Sequence, residues 1–209
     1  MKKTNSIYLV GPMGVGKTTI GRVLADMLQL EFYDSDREIE ASTGADIPWI
    51  FDVEGEAGFR IRESRMINSL TRLKKIVLAT GGGAVLADKN RQRLAKRGYV
   101  VYLRASIKQQ VERTSRDKNR PLLQTPQPEK KIRELMKIRD PLYREVADLV
   151  VDTNRRNPKT VSQEICRKVK ALQEEQSKVA TDKKAKQSES DKSGEKKTKS
   201  KATKKVKEA

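Results

Sequence analysis

Short apolar runs alternate with amphipathic segments along the first 175 residues of the chain. The strand-like runs occupy residues 7–10, 31–33, 76–79, 100–103 and 149–151. Between them, apolar residues recur at helical spacing after residue 16 and near residues 61–73, 87–96, 107–113, 129–139 and 158–172. Strands that alternate with helices are typical of a parallel sheet covered by helices. The pattern therefore predicts an α/β fold with a parallel sheet flanked by helices.

Two segments interrupt this alternation. Residues 34–61 mix several glycines and a proline with Trp49 and Phe51, which predicts an inserted module rather than a bare crossover. The two aromatic side chains either wall a ligand or fill the core of that module. Residues 112–126 are basic and contain two prolines. Mobile basic loops of this kind close over phosphates as lids, although a solvated surface loop has the same composition.

Charge is distributed unevenly along the 209 residues, whose formal net charge is +18. From residue 178 onward Leu, Ile, Met, Phe, Tyr and Trp are absent, and 12 lysines stand against five acids. Such a segment cannot bury enough apolar surface to offset the entropy lost on ordering. We therefore predict a folded domain over residues 1–175 and a disordered Lys-rich tail over residues 176–209. The tail either contacts polyanions weakly or is a solvated extension without a ligand.

Residue types that are rare or missing exclude several classes of chemistry. The chain has one cysteine and no histidine, which rules out an intrachain disulfide, histidine catalysis and histidine-ligated metals. No apolar run reaches the length of a membrane span, and the first residues lack the apolar core of a signal peptide. These features predict a cytoplasmic protein without membrane contact.

The stretch GPMGVGKTT, residues 11–19, follows the first predicted strand directly. It fits G-x-x-x-x-G-K-[ST], a loop whose backbone N–H groups surround phosphate oxygens at the start of a helix. In such a loop Lys17 reaches the β- and γ-phosphates, and the Thr18 hydroxyl coordinates Mg²⁺. The chain contains no guanine-reading N-K-x-D, so ATP is the expected nucleotide. The predicted ATP-binding residues of the loop are Gly14, Val15, Gly16, Lys17, Thr18 and Thr19.

A second pair of candidates follows the second predicted strand, in the sequence EFYDSD. Strand alternation would direct Asp34 and Asp36 to the same side of the sheet. Asp34 can then face the water shell of the metal, while Asp36 accepts the proton of a substrate hydroxyl. An Asx-turn or a helix cap before the next segment is the structural alternative.

Seven segments, in order, give the chain a family resemblance. They are GPMGVGKTTIGR, EFYDSD-x-x-IE, TGAD-I, EGE-x-GFR-x-RE, VLATGGG, DKNRPLL and R-D-PLY-x-E-x-AD. Over residues 5–173 the chain resembles the shikimate kinase family. The resemblance implies a monomer whose fold is like that of nucleoside monophosphate kinases, with a lid and a substrate-binding module. It also implies transfer of the ATP γ-phosphate to the 3-hydroxyl of shikimate, giving shikimate 3-phosphate and ADP, in chorismate and aromatic amino acid biosynthesis.

The same resemblance implies roles for individual residues. Lys17, Asp36 as the base, and Arg120 in the lid would be catalytic, and Arg120 and the weakly matched Arg156 would also contact ATP. Shikimate would be bound by Asp36, Arg60, Gly82 and Arg139. Thr18 would ligate Mg²⁺ directly, and Asp34 would do so through water. The two arginines suit a carboxylate because the guanidinium offers it two parallel donors, although Arg60 also has Glu56 and Glu63 within helical reach.

Two other functions remain open from the residues alone. A gluconate-type kinase would also phosphorylate a hydroxy acid, although the D-x-D and TGGG segments favour shikimate. A nucleic-acid-binding factor could use the basic tail, but the body lacks an aromatic–basic pattern that reads RNA.

Overall fold

Five parallel strands form one sheet in the computed structural model, which describes residues 3–115 and 121–178. The strands are β1 (Ile7–Val10), β2 (Glu31–Asp34), β3 (Ile76–Ala79), β4 (Tyr99–Arg104) and β5 (Leu149–Asp152). Their order across the sheet is β2-β3-β1-β4-β5, and every neighbouring pair is parallel. All five predicted strands are confirmed, with ends that shift by one residue at most.

The centre of the sheet is buried on both faces, which explains why its strands are continuous apolar runs. Every residue of β1 and β3 is buried, and so is β4 up to its last residue. The flanking helices are α1 (Lys17–Leu28), α2 (Ser35–Thr43), α3 (Ile47–Leu70), α4 (Asp88–Arg97), α5 (Ile107–Thr114) and α6 (Pro128–Val146), and a further helix, α7 (158–178), follows β5 in the chain. The predicted α/β class is therefore confirmed.

Helix α3 begins 14 residues earlier than the predicted helix at residues 61–73. Pro48 lies in its first turn, where a backbone N–H has no helical partner to lose. Asp46 caps the helix by accepting the N–H of Trp49 at 2.9 Å. At Gly55 the backbone leaves helical geometry with φ 69°, so the segment consists of two helical pieces joined there. The predicted inserted module is thus largely helical.

Helix α6 continues well beyond the predicted end at residue 139, through Pro141. A proline inside a helix removes one backbone hydrogen bond, which is why the sequence pattern ends the helix early. Side chains on both sides of the proline attach the helix to other elements. Asp140 accepts the hydroxyl of Tyr102 at 2.6 Å, and the Tyr143 hydroxyl donates to the carbonyl of Gly82. Tertiary contacts therefore outweigh the local cost of the proline.

The register of the strands brings three sequence motifs to one edge of the sheet. Ala79 is paired with Leu9 on one side and with Asp34 on the other. The glycine loop after β1, the Asp-Ser-Asp segment after β2 and the Thr-Gly-Gly-Gly turn after β3 consequently start at the same level. In open parallel sheets this carboxyl edge is where ligands bind.

The last described helix, α7, crosses the limit between two units, Met1–Cys166 and Arg167–Ala209. The predicted boundary near residue 175 stays a prediction, and the predicted disorder concerns a tail that lies almost wholly outside the described residues. None of the helices in the described ranges combines the length and apolar character needed to span a membrane.

Candidate active site

The glycine loop leads into α1 in the way the motif predicts. Gly16 caps the helix with φ 88°, a left-handed conformation that a side chain would strain. Lys17 is folded over the loop, where its ammonium donates to the carbonyls of Gly11 and Pro12, both at 2.7 Å. A cavity opens here, and its lining includes Gly14, Gly16, Lys17, Thr18 and Thr19. The start of α1 and a lysine thus face a polar cavity suited to phosphates.

Thr18 and Asp34 form an oxygen pair in this phosphate cavity. The Thr18 hydroxyl donates to Oδ2 of Asp34 at 2.7 Å, while Oδ1 of Asp34 accepts the backbone N–H of Asp36 at 3.1 Å. Asp34 therefore caps α2 and also contacts the first turn of α1, so a helix cap and the predicted position beside Thr18 occur in one residue.

This oxygen pair fits Mg²⁺, which prefers hard oxygen ligands and keeps most of its water when it binds a nucleotide. No group of three or more His, Cys, Asp or Glu side chains in the described ranges could hold a metal by itself. A site of one hydroxyl and one carboxylate, completed by phosphate and water, is consistent with that finding.

Asp36 lines the cavity from the start of a helix, whereas the sequence analysis predicted that strand alternation would direct it there. The strand ends at Asp34, so strand alternation does not apply, and Asp36 lies in the first turn of α2. The residue between the two acids is buried: the Ser35 hydroxyl accepts the N–H of Gly81 at 2.8 Å and so links α2 to the glycine turn. Ser35 was missed because nothing local distinguishes an anchoring serine from a solvated one.

A second cavity adjoins the phosphate cavity, and Asp36 lines both of them together with Met13 and Gly82. The second cavity contains the two arginines predicted to bind the substrate, Arg60 and Arg139. The remaining lining residues are Ile47, Phe51, Phe59, Glu63, Gly81, Gly83 and Leu122. The fold therefore brings together the side chains that the family motifs assigned to the acceptor.

Glu63 also lines this cavity, whereas the sequence indicated it only as an ion-pair partner of Arg60. Arg60 pairs with Glu56 and Glu63, each at 2.8 Å. Glu63 is 1% exposed, and its Oε1 has no hydrogen-bond partner among the described residues. Burial raises the pKa of the Glu63 carboxyl, against the opposing effects of Arg60 and Arg139. Glu63 thus holds the Arg60 guanidinium in place with one carboxyl oxygen and leaves the other oxygen beside Gly81.

The pKa of Glu63 leads to a testable expectation about stability. A carboxyl whose pKa is raised on folding contributes stability below its unfolded pKa, and loses it as pH rises through the folded pKa. Glu63→Gln removes this titration, so the stability of the wild type relative to this variant should fall as pH rises above the acidic range. Urea unfolding of both proteins at a series of pH values measures the difference. Glu56→Gln is the control, because Glu56 is the solvent-exposed partner of the same arginine. The difference in unfolding free energy between the wild type and Glu56→Gln should vary much less with pH.

The triple glycine is explained by side chains of the site itself. A Cβ on Gly81 would lie 2.6 Å from Oδ1 of Asp36 and from Oε1 of Glu63. A Cβ on Gly83 would meet the Arg60 guanidinium at 2.2 Å. Gly82, the predicted substrate contact, has ordinary space, with its nearest neighbour at 3.6 Å. Gly81 and Gly83 therefore leave room for side chains of the site itself, whereas the contact of Gly82 with the substrate stays a prediction.

Arg139 lies on α6 and is 4% exposed, although it lines the second cavity. A buried guanidinium is costly unless anions or acceptors surround it. Glu63 lies near enough for the charge of Arg139 to lower its pKa. An anionic ligand in the cavity would add a negative charge beside the Arg139 guanidinium.

Several predicted residues have other positions. Arg120 lies outside the described residues, as does part of the predicted lid. Arg156 donates to the Asp152 carbonyl at 3.0 Å, pairs with Glu164 at 2.7 Å and is absent from the lining of the phosphate cavity in the described ranges. Phe51 lines the second cavity and also packs against Phe59 in a small core, with the two rings tilted by 39°, so its position agrees with the core alternative and leaves contact with a ligand a prediction. Trp49 is 55% exposed and belongs to neither the described cavities nor that core.

Arg113 is a further lining residue of the phosphate cavity that the sequence did not single out. Its guanidinium donates to the carbonyls of Gly14, at 3.1 Å, and Thr153, at 3.2 Å. Its position within the basic segment 112–126 was the available signal, but composition alone could not distinguish it from its neighbours.

Known proteins resemble the chain over the whole region that carries this site. The family model described as shikimate kinase matches residues 13–170. A shikimate kinase of Chromohalobacter salexigens is 60% identical over 172 residues, which cover 82% of this chain and 96% of the relative. One of Pseudomonas fluorescens strain Pf0-1 is 64% identical over 156 residues, 75% of this chain and 91% of the relative. The solved shikimate kinase of Acinetobacter baumannii in complex with shikimate superposes with TM-score 0.80 and 56% identity, covering 81% of this chain and 94% of that one.

Proposed function

The chain belongs to the shikimate kinase family, and on that premise we propose that it transfers the γ-phosphoryl group of ATP to the 3-hydroxyl of shikimate through the two adjoining cavities. The reaction gives shikimate 3-phosphate and ADP, and it serves chorismate and aromatic amino acid biosynthesis. The observation that carries the assignment of residues is that Asp36 lines both cavities. One carboxylate then stands where a phosphate donor and a hydroxylated acceptor meet.

The second cavity suits the acceptor in charge and in shape. Shikimate carries one carboxylate and three hydroxyls, so its site needs cations for the first and acceptors for the others. Arg60 and Arg139 supply the cations, since guanidinium matches a carboxylate with two donors. Phe51 and Phe59 supply an apolar wall for the ring carbons. This combination supports a small hydroxylated acid rather than a neutral sugar as the acceptor.

In the proposed reaction Asp36 orients the 3-hydroxyl and accepts its proton as the hydroxyl oxygen attacks the γ-phosphorus. The bond from that phosphorus to the bridging oxygen breaks, and the electrons leave with ADP. Lys17 and Arg120 offset the negative charge that develops on the transferring group and on the leaving oxygen. Thr18 would hold Mg²⁺ directly and Asp34 would do so through water. When bound, the metal supplies charge neutralisation at the β- and γ-phosphates.

The direct test is ADP release by purified protein with ATP, magnesium and either shikimate or gluconate. We expect turnover with shikimate that is far above the rate with gluconate, because the open chain of gluconate has no carbon ring to pack on the apolar wall of Phe51 and Phe59. Analysis of the product should give the 3-phosphate. Turnover with gluconate alone, or with neither acid, would contradict the proposed function.

The Lys-rich tail does not enter this chemistry, and we propose that it makes at most weak, salt-sensitive contacts with polyanions. The enzyme is proposed to act as a cytoplasmic monomer. Deleting residues 178–209 should leave kcat and the KM for shikimate within about twofold of the full chain. Affinity for a DNA duplex should fall steeply with salt in the full chain and be lost in the deletion. Loss of turnover on deletion would show that the tail belongs to the kinase domain.

A further inference from the structure

A buried tyrosine on α6 lies directly behind the proposed shikimate cavity without lining it. Tyr143 is fully buried, and its hydroxyl donates to the carbonyl of Gly82 at 2.5 Å. It follows Arg139 by four residues, which places the two side chains on the same face of the helix. The hydroxyl thus reaches the glycine turn beside the arginine predicted to bind the substrate carboxylate.

The Tyr143 hydroxyl bonds to one group of the site and lies near a second. It has one proton to donate, which the Gly82 carbonyl receives, and lone pairs that can accept from a cation. Arg139 lies one turn earlier on the same helix, and its positive charge lowers the pKa of this hydroxyl against the larger effect of burial. The guanidinium also lies close to the turn, 3.7 Å from the position of a Cβ on Gly82. Burial raises the pKa of Tyr143 above its ordinary value, so the hydroxyl keeps its proton and remains a donor to Gly82.

A second tyrosine fixes the orientation of the first. The rings of Tyr102, on β4, and Tyr143 are stacked with centroids 4.9 Å apart and an interplanar angle of 28°. The Tyr102 hydroxyl donates to Asp140 at 2.6 Å, and Asp140 also pairs with Arg144 at 2.7 Å. The stacked ring of Tyr102, which a phenylalanine would keep, leaves the Tyr143 ring little freedom to turn its hydroxyl away from Gly82.

We propose that Tyr143 is a positioning residue for shikimate: its hydroxyl fixes the Gly82 backbone at the place where the Arg139 guanidinium lies beside it. The proposal rests on the proposed function, because it assigns Arg139 and Gly82 to the substrate. Tyr143 touches neither ATP nor the reacting atoms, and it lines neither of the two described cavities. Its effect should therefore appear in the binding of the acid substrate and be absent from the binding of the nucleotide.

The experiment compares Tyr143→Phe with Tyr102→Phe, since each change removes one hydroxyl from a fully buried ring of the same stack. Steady-state kinetics with shikimate and with ATP, and thermal unfolding, are measured for both variants and the wild type. Tyr143→Phe should raise the KM for shikimate about tenfold, the effect expected for one lost buried hydrogen bond. It should change kcat and the KM for ATP by less than threefold. Tyr102→Phe should leave all three constants near the wild-type values.

The outcomes separate this inference from the proposed function. Wild-type protein without turnover on shikimate would remove the proposed function itself. With an active wild type, an unchanged KM for shikimate in Tyr143→Phe would overturn the inference alone. An equal rise in Tyr102→Phe would also overturn it, because the effect would then come from loosening the attachment of α6 to the sheet. Failure of Tyr143→Phe to fold, with Tyr102→Phe folded, would assign the hydroxyl to stability and overturn it as well.

Discussion

Asp36→Asn is expected to fold normally and to lose about 10²–10⁴-fold in kcat with shikimate, the range typical of a general base. Asparagine keeps the size of the side chain but cannot accept the proton of the substrate hydroxyl. The fold should tolerate the change because Asp34, and not Asp36, caps α2 with its side chain. Rapid-quench or coupled assays at saturating ATP and shikimate measure the loss.

Asp46→Asn provides a matched control for this variant. Asp46 is also an acid at the start of a helix, and asparagine can replace it as a cap. It lines neither described cavity, so its variant should keep wild-type kcat. Near-native turnover by Asp36→Asn would remove Asp36 from the role of base and leave it as a residue that only binds the hydroxyls.

Lys17→Ala is expected to lose about 10²–10³-fold in kcat, comparable to the removal of one group that stabilises charge in a transition state. The structure suggests a second consequence, because the ammonium holds the carbonyls of Gly11 and Pro12. Without it those carbonyls have to find water, and the loop should hold phosphate less well, so the KM for ATP should rise too. The KM for shikimate should change little, since Lys17 is absent from the lining of the second described cavity.

Lys108→Ala on α5 removes an exposed lysine near the same edge and serves as the control for charge alone. It should retain wild-type kcat and KM for ATP. Circular dichroism and thermal unfolding of Lys17→Ala should resemble the wild type, because the lysine is only partly buried. If Lys17→Ala kept its turnover, the loop would bind nucleotide through backbone groups alone, and the proposed stabilisation by the lysine would be wrong.

Both predictions concern residues, Asp36 and Lys17, that short local sequence motifs identify. A glycine loop that ends in Lys17 and Thr18 is recognisable because phosphate binding by backbone groups needs glycines at fixed spacing. Strands were equally predictable, since a sheet covered on both faces requires continuous apolar runs such as Ile7–Val10 and Ile76–Ala79. The boundaries of α3 and α6 were not predictable, because Gly55 and Pro141 act locally against helix while distant contacts decide the outcome.

By itself the sequence determined the α/β class, the phosphate loop and the family, all of which rest on local periodicity or ordered motifs. Only the tertiary structure decided how Asp36, Arg60 and Arg139 come together, and that Glu63, Ser35 and Tyr143 support them. These supporting residues carry no local signal, since a glutamate, a serine or a tyrosine acquires its role from the groups that surround it once the chain has folded. The physical reason is that burial and hydrogen-bond partners are set by residues far apart in sequence, whereas glycine spacing and apolar runs are properties of neighbours.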